Sequence, residues 1–322
     1  LCLVILPLLG MSACTSDTAD NTLQSRTGRA DSTRLAARGE RPATPADTDD
    51  FGTPLPTDAS FAERVVSLNP TATEVIFAIG AETRLVGRSR WDEHPEGAQR
   101  IEAVGDGIRP NIETVLQKRP TLVILYATAE NRAAADAFAQ AGIRTLALRV
   151  DHIAQFVSLT RRLGVALGAS SRAEDVVDSV QRTLDAVRTI TQRATVRTVA
   201  WPLWQQPVMV VGRGSYLDEL LEIAGGRNVF HDFETPSPVV SVEEIARRNP
   251  EALVATAKTR AELEAKPSWR AIRAVREAHW IVDDPAVTGR PSVVLGMAAV
   301  ALARALHPEL ASQLPAPATG VR

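Results

Sequence analysis

Cysteine is nearly absent from this chain: Cys2 and Cys14 are the only two, and both fall in or at the edge of an apolar N-terminal run. The remainder has no thiol for a disulfide or a thiolate metal site, so its stability has to come from packing. Aromatic residues are scarce as well, at 4% of 322 residues, which makes the placement of five tryptophans and two tyrosines informative. Neither sign of charge is in excess: 36 Lys and Arg against 38 Asp and Glu give a net charge of −2, and no basic field exists to hold a nucleic acid. The five histidines, at 94, 152, 231, 279 and 307, form no i, i+4 pair and have no cysteine beside them, so no structural metal is expected. Single ligation of an iron or cobalt centre by His94 or His231 stays open beside a plain surface role. Nucleophilic catalysis lacks its motifs too. Gly212-Arg213-Gly214-Ser215 has neither the spacing nor the lysine of a phosphate-binding loop, and no serine elbow is present. That turn is expected to shape a wall of a binding cleft.

What is present is enough apolar residue, 45% hydrophobic against 23% charged, for one large domain or two ordinary ones. The opening LCLVILPLLGMSAC is too short for the ~20 residues of a membrane span and has the length of a signal-peptide hydrophobic region. It ends in Met11-Ser12-Ala13-Cys14, which resembles a lipobox. Residues 1–13 then read as a lipoprotein signal peptide and Cys14 as the lipidated first residue of the mature chain; an ordinary secretory signal is the alternative. The following residues to 62, rich in Thr, Asp, Ser, Pro and Ala, cannot bury enough surface to offset ordering entropy and read as a flexible tether.

From Arg64 onward the pattern alternates short β-branched runs with apolar helices, which indicates α/β lobes built on mainly parallel sheets. One lobe spans 63–150 and a second 196–310, with a tail over 311–322. Between them, 151–195 has no strand signal and reads as two helices. The second helix carries Ala173, Val176, Val177, Val180, Leu184, Val187 and Ile190 at 3.6-residue spacing, a long strut of ~35 Å.

The lobes repeat one another. Asn111-Ile112-Glu113 through Pro120 aligns without a gap on Ser241-Val242-Glu243 through Pro250, at a constant offset of 130. Each copy has an N-cap residue, a glutamate in the first turn, a basic end and a proline leading into a strand. Thr73-Glu74 through Gly80 likewise aligns on Asp218-Glu219 through Gly225. Two similar lobes joined by a strut make a cleft, and a cleft between lobes argues for ligand capture.

These residues, with Arg64 to Pro70, Val86-Gly87, Pro110, Leu122-Val123, Gly225 to Phe230 and Val240, resemble the helical-backbone class of ABC-importer solute-binding proteins, the class III periplasmic binding proteins. The resemblance covers about 64–310. It implies two lobes joined by one long helix, small closure, no enzymatic activity, no cofactor, and an extracytoplasmic location on a lipid anchor. The implied partners are an ABC importer's permease dimer and a bulky ligand, cobalamin-like or another metal chelate.

Within the class the corrinoid-binding branch is the most similar. That likeness puts Trp91, Tyr126 and Asp284 at ligand-flanking positions, with Arg290 near the place of an arginine that Thr288 replaces. Gly107 and Ser237 stand where the branch has tryptophans. Trp201 and Trp204 flank Pro202 just after a predicted strand, and Trp204 joins this set on aromatic chemistry; for Trp201 core filling weighs more heavily, and Trp269 and Trp280 read as core. Glu113 and Glu243 match glutamates that dock the permease. A ferric-siderophore or haem receptor would instead need an arginine cluster, for which Arg88, Arg90, Arg109, Arg213 and Arg290 are the candidates. A metal-dependent enzyme on the same lobes is the rival of another class.

Overall fold

Two copies of one strand pattern organise the molecule, a computed structural model that describes residues 48–55 and 62–316. In the first lobe the apolar runs Val65–Ser67 (β1), Leu85–Arg88 (β2), Leu122–Tyr126 (β3) and Arg144–Leu148 (β4) form a parallel sheet of order β2-β1-β3-β4. Helices Pro70–Ala78 (α1), Ile112–Gln117 (α2) and Ala129–Gln140 (α3) connect them. Asn69 caps α1 through its side chain and Pro70 opens it, while Gly80, at φ 66°, lets the chain turn out of it.

Helices Ile153–Ala166 (α4) and Ser170–Thr191 (α5) follow, and α5, at 22 residues, is the predicted strut, ~33 Å long. Its stripe Ala173, Val177, Val180, Leu184 and Val187 is buried, with Val176 and Ile190 packed at the border.

The second lobe pairs Arg197–Ala200 (β5), Gly226–Asn228 (β8), Ala252–Ala255 (β9) and Trp280–Val282 (β10) in the order β10-β9-β5-β8, the same topology as the first lobe. An antiparallel hairpin of Pro202–Gln205 (β6) and Val208–Val210 (β7) is added to it. Helices Tyr216–Ile223 (α6), Val242–Arg248 (α7), Ala257–Ala265 (α8), Arg273–Arg276 (α9), Pro285–Thr288 (α10) and Leu295–Leu306 (α11) complete it.

Each sheet alternates its faces with period 2. Leu122 and Ile124 enter a large core shared with α1, α4, α5, α6 and α11, whereas Val123 and Leu125 face a smaller cluster of the first lobe alone. The second lobe does the same, with Val199 and Val254 in the shared core and Ala200 and Leu253 in an outer cluster around Trp269 and Phe230. One continuous helical core therefore joins the lobes.

Three expectations needed correction. Helix α8 and strand β6 left no sequence signal, because only Leu263 of α8 is buried and β6 begins with proline. Around Trp269–Val275 the sequence pattern reads as a single helix, whereas the structure has a 3-10 turn over Pro267–Ala271 followed by α9. Within the stretch read as tether, residues 48–55 are docked rather than free. Asp50 N donates to Ala147 O, Asp49 accepts from Ala147 N, Asp50 accepts from Arg149 N, and Arg132 lies over the Phe51 ring. The segment covers edge strand β4, whose unpaired backbone groups supply the partners that composition alone cannot reveal. Among the described residues no helix is long and apolar enough to cross a membrane.

Candidate functional site

In a parallel sheet the carboxyl ends of all strands open on one side, and here both sheets direct those ends at one cleft of about 530 Å³ between the lobes. From the first lobe come the residues at the start of α1, Tyr126 at the end of β3, and Val150-Asp151 beyond β4. From the second come Trp201 after β5, Tyr216 at the start of α6, Asp283 after β10, and 288–291. A groove of about 570 Å³ along strand β4, beside Thr53-Pro54-Leu55, is lined mainly by small and apolar residues and lies at no strand's carboxyl end.

Both tyrosines of the chain line this cleft, one from each lobe. Tyr126 OH donates to Asp151 Oδ1 at 2.6 Å, and Tyr216 OH donates to Thr288 O at 2.5 Å. Burial pushes both phenols above their ordinary range, reinforced by the Asp151 hydrogen bond in the first and by the Asp283 charge in the second, so both stay protonated. Burial also raises Asp283, opposed by the Thr288 hydroxyl that donates to it.

Arg290 lines the cleft but is paired with the buried carboxylate of Glu74. The other candidate arginines are placed elsewhere. Arg88 donates to Ile101 O and Ser89 O, Arg90 pairs with Asp106, Arg213 with Glu234, and Arg109 is exposed on its loop.

The remaining sequence-derived candidates fall around this centre. Trp91 and Trp204 do not line the cleft; they are 59% and 63% exposed. Trp91 Nε1 donates to Asp106, in the loop whose Gly107 O accepts from Asn131; Asn131 also donates to Tyr126 O, so hydrogen bonds link the Trp91 loop to the cleft residue Tyr126. Trp204 lies on the β6 hairpin one residue beyond Leu203, which lines the cleft. Asp284 caps α10 by accepting from Ala286 N, and its neighbour Asp283 is the acid that faces the cleft.

Trp201, for which core filling weighed more heavily than a ligand contact, is 3% exposed and forms part of the cleft. Tyr216, Asp151, Asp283 and Glu74 were missed. The usable signal was the scarcity of tyrosine and the position of Tyr216 at the first turn after a Gly-rich loop.

Gly107 has no room for a side chain, since a Cβ would stand 2.7 Å from Leu68 O, while Ser237 lines the cleft as a small polar group. Asp218, Glu222 and His231 approach one another in the second lobe, but His231 Nδ1 and Asn228 already occupy the buried Asp218 carboxylate. Cys14 lies outside the described residues.

Two like lobes that share a helical core and present aromatic and polar side chains to one cleft define a ligand-binding protein with a helical backbone. The pattern of the periplasmic binding protein family matches residues 65–287, and the chain belongs to that family, in its class III fold. Membership implies an extracytoplasmic location.

A vitamin B12-binding protein of Yersinia pestis is 27% identical over 196 residues, which are 61% of this chain and 70% of that one. The periplasmic vitamin B12 binding protein of Vibrio cholerae has the same fold, with a TM-score of 0.68 at 22% identity over 78% of this chain and 98% of its own. A periplasmic haem binding protein from Pseudomonas aeruginosa aligns with a TM-score of 0.67 at 26% identity, covering 77% and 94%.

Proposed function

We propose that the chain is the lipid-anchored receptor of an ABC importer and captures a bulky corrinoid between its lobes. The observation that carries the ligand class is the convergence of Tyr126, Trp201 and Tyr216 on a cleft with few free charges; Trp91 and Trp204, both exposed, are the rings proposed to flank the ligand outside it. Rigid aromatic surface with a few polar anchors suits a broad, flat macrocycle at low entropic cost. A cleft of about 530 Å³ would hold part of such a ligand, leaving Trp91 and Trp204 to flank the rest. The 27% identical vitamin B12-binding relative supports the same class.

Ferric siderophores and haem are the second reading, favoured by the haem binding relative from Pseudomonas aeruginosa. Against it weighs the placement of the arginines. Of the five candidates only Arg290 borders the cleft, and Glu74 neutralises it. The importer enters through Glu113 and Glu243, each exposed on a first helical turn of one lobe and, among the described residues, without a hydrogen-bond or ion-pair partner. One acid per lobe suits a homodimeric permease. The anchor rests on the Cys14 sequence signal; Cys14→Ala should release the protein from membranes, and unchanged membrane association would remove that part of the reading.

Tryptophan fluorescence titrated with cyanocobalamin, haemin and a ferric siderophore tests the ligand. Saturable quenching by cyanocobalamin at the lowest concentration is the expected result. Binding of a small sugar or amino acid, with none of the three chelates bound, would overturn the class of ligand.

A further inference from the structure

The two glutamates at matching places in the repeat, Glu74 of α1 and Glu219 of α6, each reach out of their own lobe. Glu74 is 4% exposed, and both its oxygens are taken by the segment that follows the last strand of the second lobe. Arg290 pairs with Oε1, and Ser292 Oγ donates to Oε2 at 2.7 Å. Glu219 does the converse. Its Oε2 accepts from Ile153 N at 3.0 Å and its Oε1 meets His152 Nδ1 at 2.6 Å, in the segment that follows the last strand of the first lobe. Beside it Tyr216 N donates to Asp151 O at 2.7 Å.

From this crossed arrangement we infer that Glu74 and Glu219 are positioning residues that fix the width of the cleft by tying each lobe to the exit segment of the other. The inference rests on the reading of the cleft as the ligand site but not on which ligand fills it. For Glu74 the physical ground is the cost of a buried carboxylate without partners; Glu219, whose side chain is about a third exposed, ties through the Ile153 amide and His152 instead. Among the described residues Glu74 has no hydrogen-bond or ion-pair partner in its own lobe, so parting the lobes at this edge would strip the buried carboxylate of both its donors. Ser292 is fully buried as well and would lose its acceptor in the same motion. The shared helical core joins the lobes elsewhere; the two ties close the remaining freedom beside the cleft itself. Arg290 thereby serves as a tie, although it borders the site, and is not available as a free cation for an anionic ligand.

The test measures the distance between lobes directly. The full chain, with Cys2→Ser and Cys14→Ser, receives Ala133→Cys on α3 and Ala261→Cys on α8, both exposed, for spin labelling. Pulsed dipolar spectroscopy on this background should give one narrow distance, unchanged by cyanocobalamin. Adding Glu74→Gln and Glu219→Gln should broaden the distribution in the absence of ligand, and cyanocobalamin should narrow it again. If only about a tenth of the molecules then keep the competent width, affinity falls about tenfold.

Should that variant fail to fold, the partner-side pair Arg290→Gln with His152→Gln is expected to show the same broadening. A folded variant of either kind whose distribution equals the background would overturn the inference. The measurement without ligand stands even if no corrinoid binds, so failure of the ligand reading and failure of the ties are distinguishable.

Discussion

Arg119 and Asn249, 130 positions apart, both leave a helix in the left-handed region, at φ 49° and φ 47°, and each is followed by a proline. Their units agree in detail. Asn111 and Ser241 accept from the amides of Thr114 and Glu244, and the ten residues of each unit follow one sequence of exposed, intermediate and buried positions. Asparagine tolerates this backbone; arginine, with its Cβ against the following carbonyl, does so at a cost of roughly 1–2 kcal/mol. Arg119→Asn is therefore expected to raise stability by up to about 1 kcal/mol, read as a higher denaturation midpoint at unchanged slope.

The same units present Glu113 and Glu243 to solvent. If these acids dock the permease, Glu113→Gln with Glu243→Gln leaves ligand affinity intact and abolishes uptake into vesicles or cells, and wild-type uptake weakens as salt is raised. If they serve only the helix dipole, the double variant melts slightly earlier and transports normally. Transport and melting together separate the two.

Asp92 is fully buried, where it accepts from Thr73 Oγ1 and Ser89 Oγ. Burial pushes its carboxyl from the ordinary 3.8 up to about 6, against the lowering effect of those hydroxyls. The folded protein thus keeps this proton over a range in which the unfolded chain has released it. The stability that Asp92 supplies is complete below about pH 4 and is lost as pH rises to about 6, an amount on the order of 3 kcal/mol. Asp92→Asn should flatten this falling limb. Urea denaturation of both proteins at pH 4.5, 5.5 and 7 checks it; equal slopes against pH would refute the assignment.

Gly212 packs on the loop that supplies Pro236 and Ser237 to the cleft, with Gly212 N donating to Pro236 O at 3.0 Å. A Cβ there would meet Thr235 O at 2.2 Å, so the loop must move to admit one. Gly212→Ala should cost about 1–3 kcal/mol of stability and weaken ligand binding without touching the ligand. Titration beside a thermal melt measures both; unchanged affinity would show that this loop does not shape the site.

Much of this protein was legible as sequence because the information was local. The capping of α1 by Asn69-Pro70, the stripe along α5 and the ten-residue repeat depend on neighbours within a few positions, and periodicity reports them directly. The repeat also implied two lobes, and hence a cleft. Which side chains face that cleft was decided by tertiary structure. Trp201 reads more as core than as contact by its neighbours and is indeed buried, yet the wall it completes belongs to the site. Asp283 and Asp284 are indistinguishable in sequence; the turn after β10 directs the first into the cleft and spends the second on a helix cap. Residues 48–55 have the composition of a tether, and only the open edge of β4 gives their backbone partners. Glu74 looks like any helical glutamate until Arg290, 216 positions later, is brought against it. Local pattern fixes the elements because their hydrogen bonds close within a few residues; the site and its ties depend on contacts between distant segments, which exist only once both lobes are packed on the shared helical core.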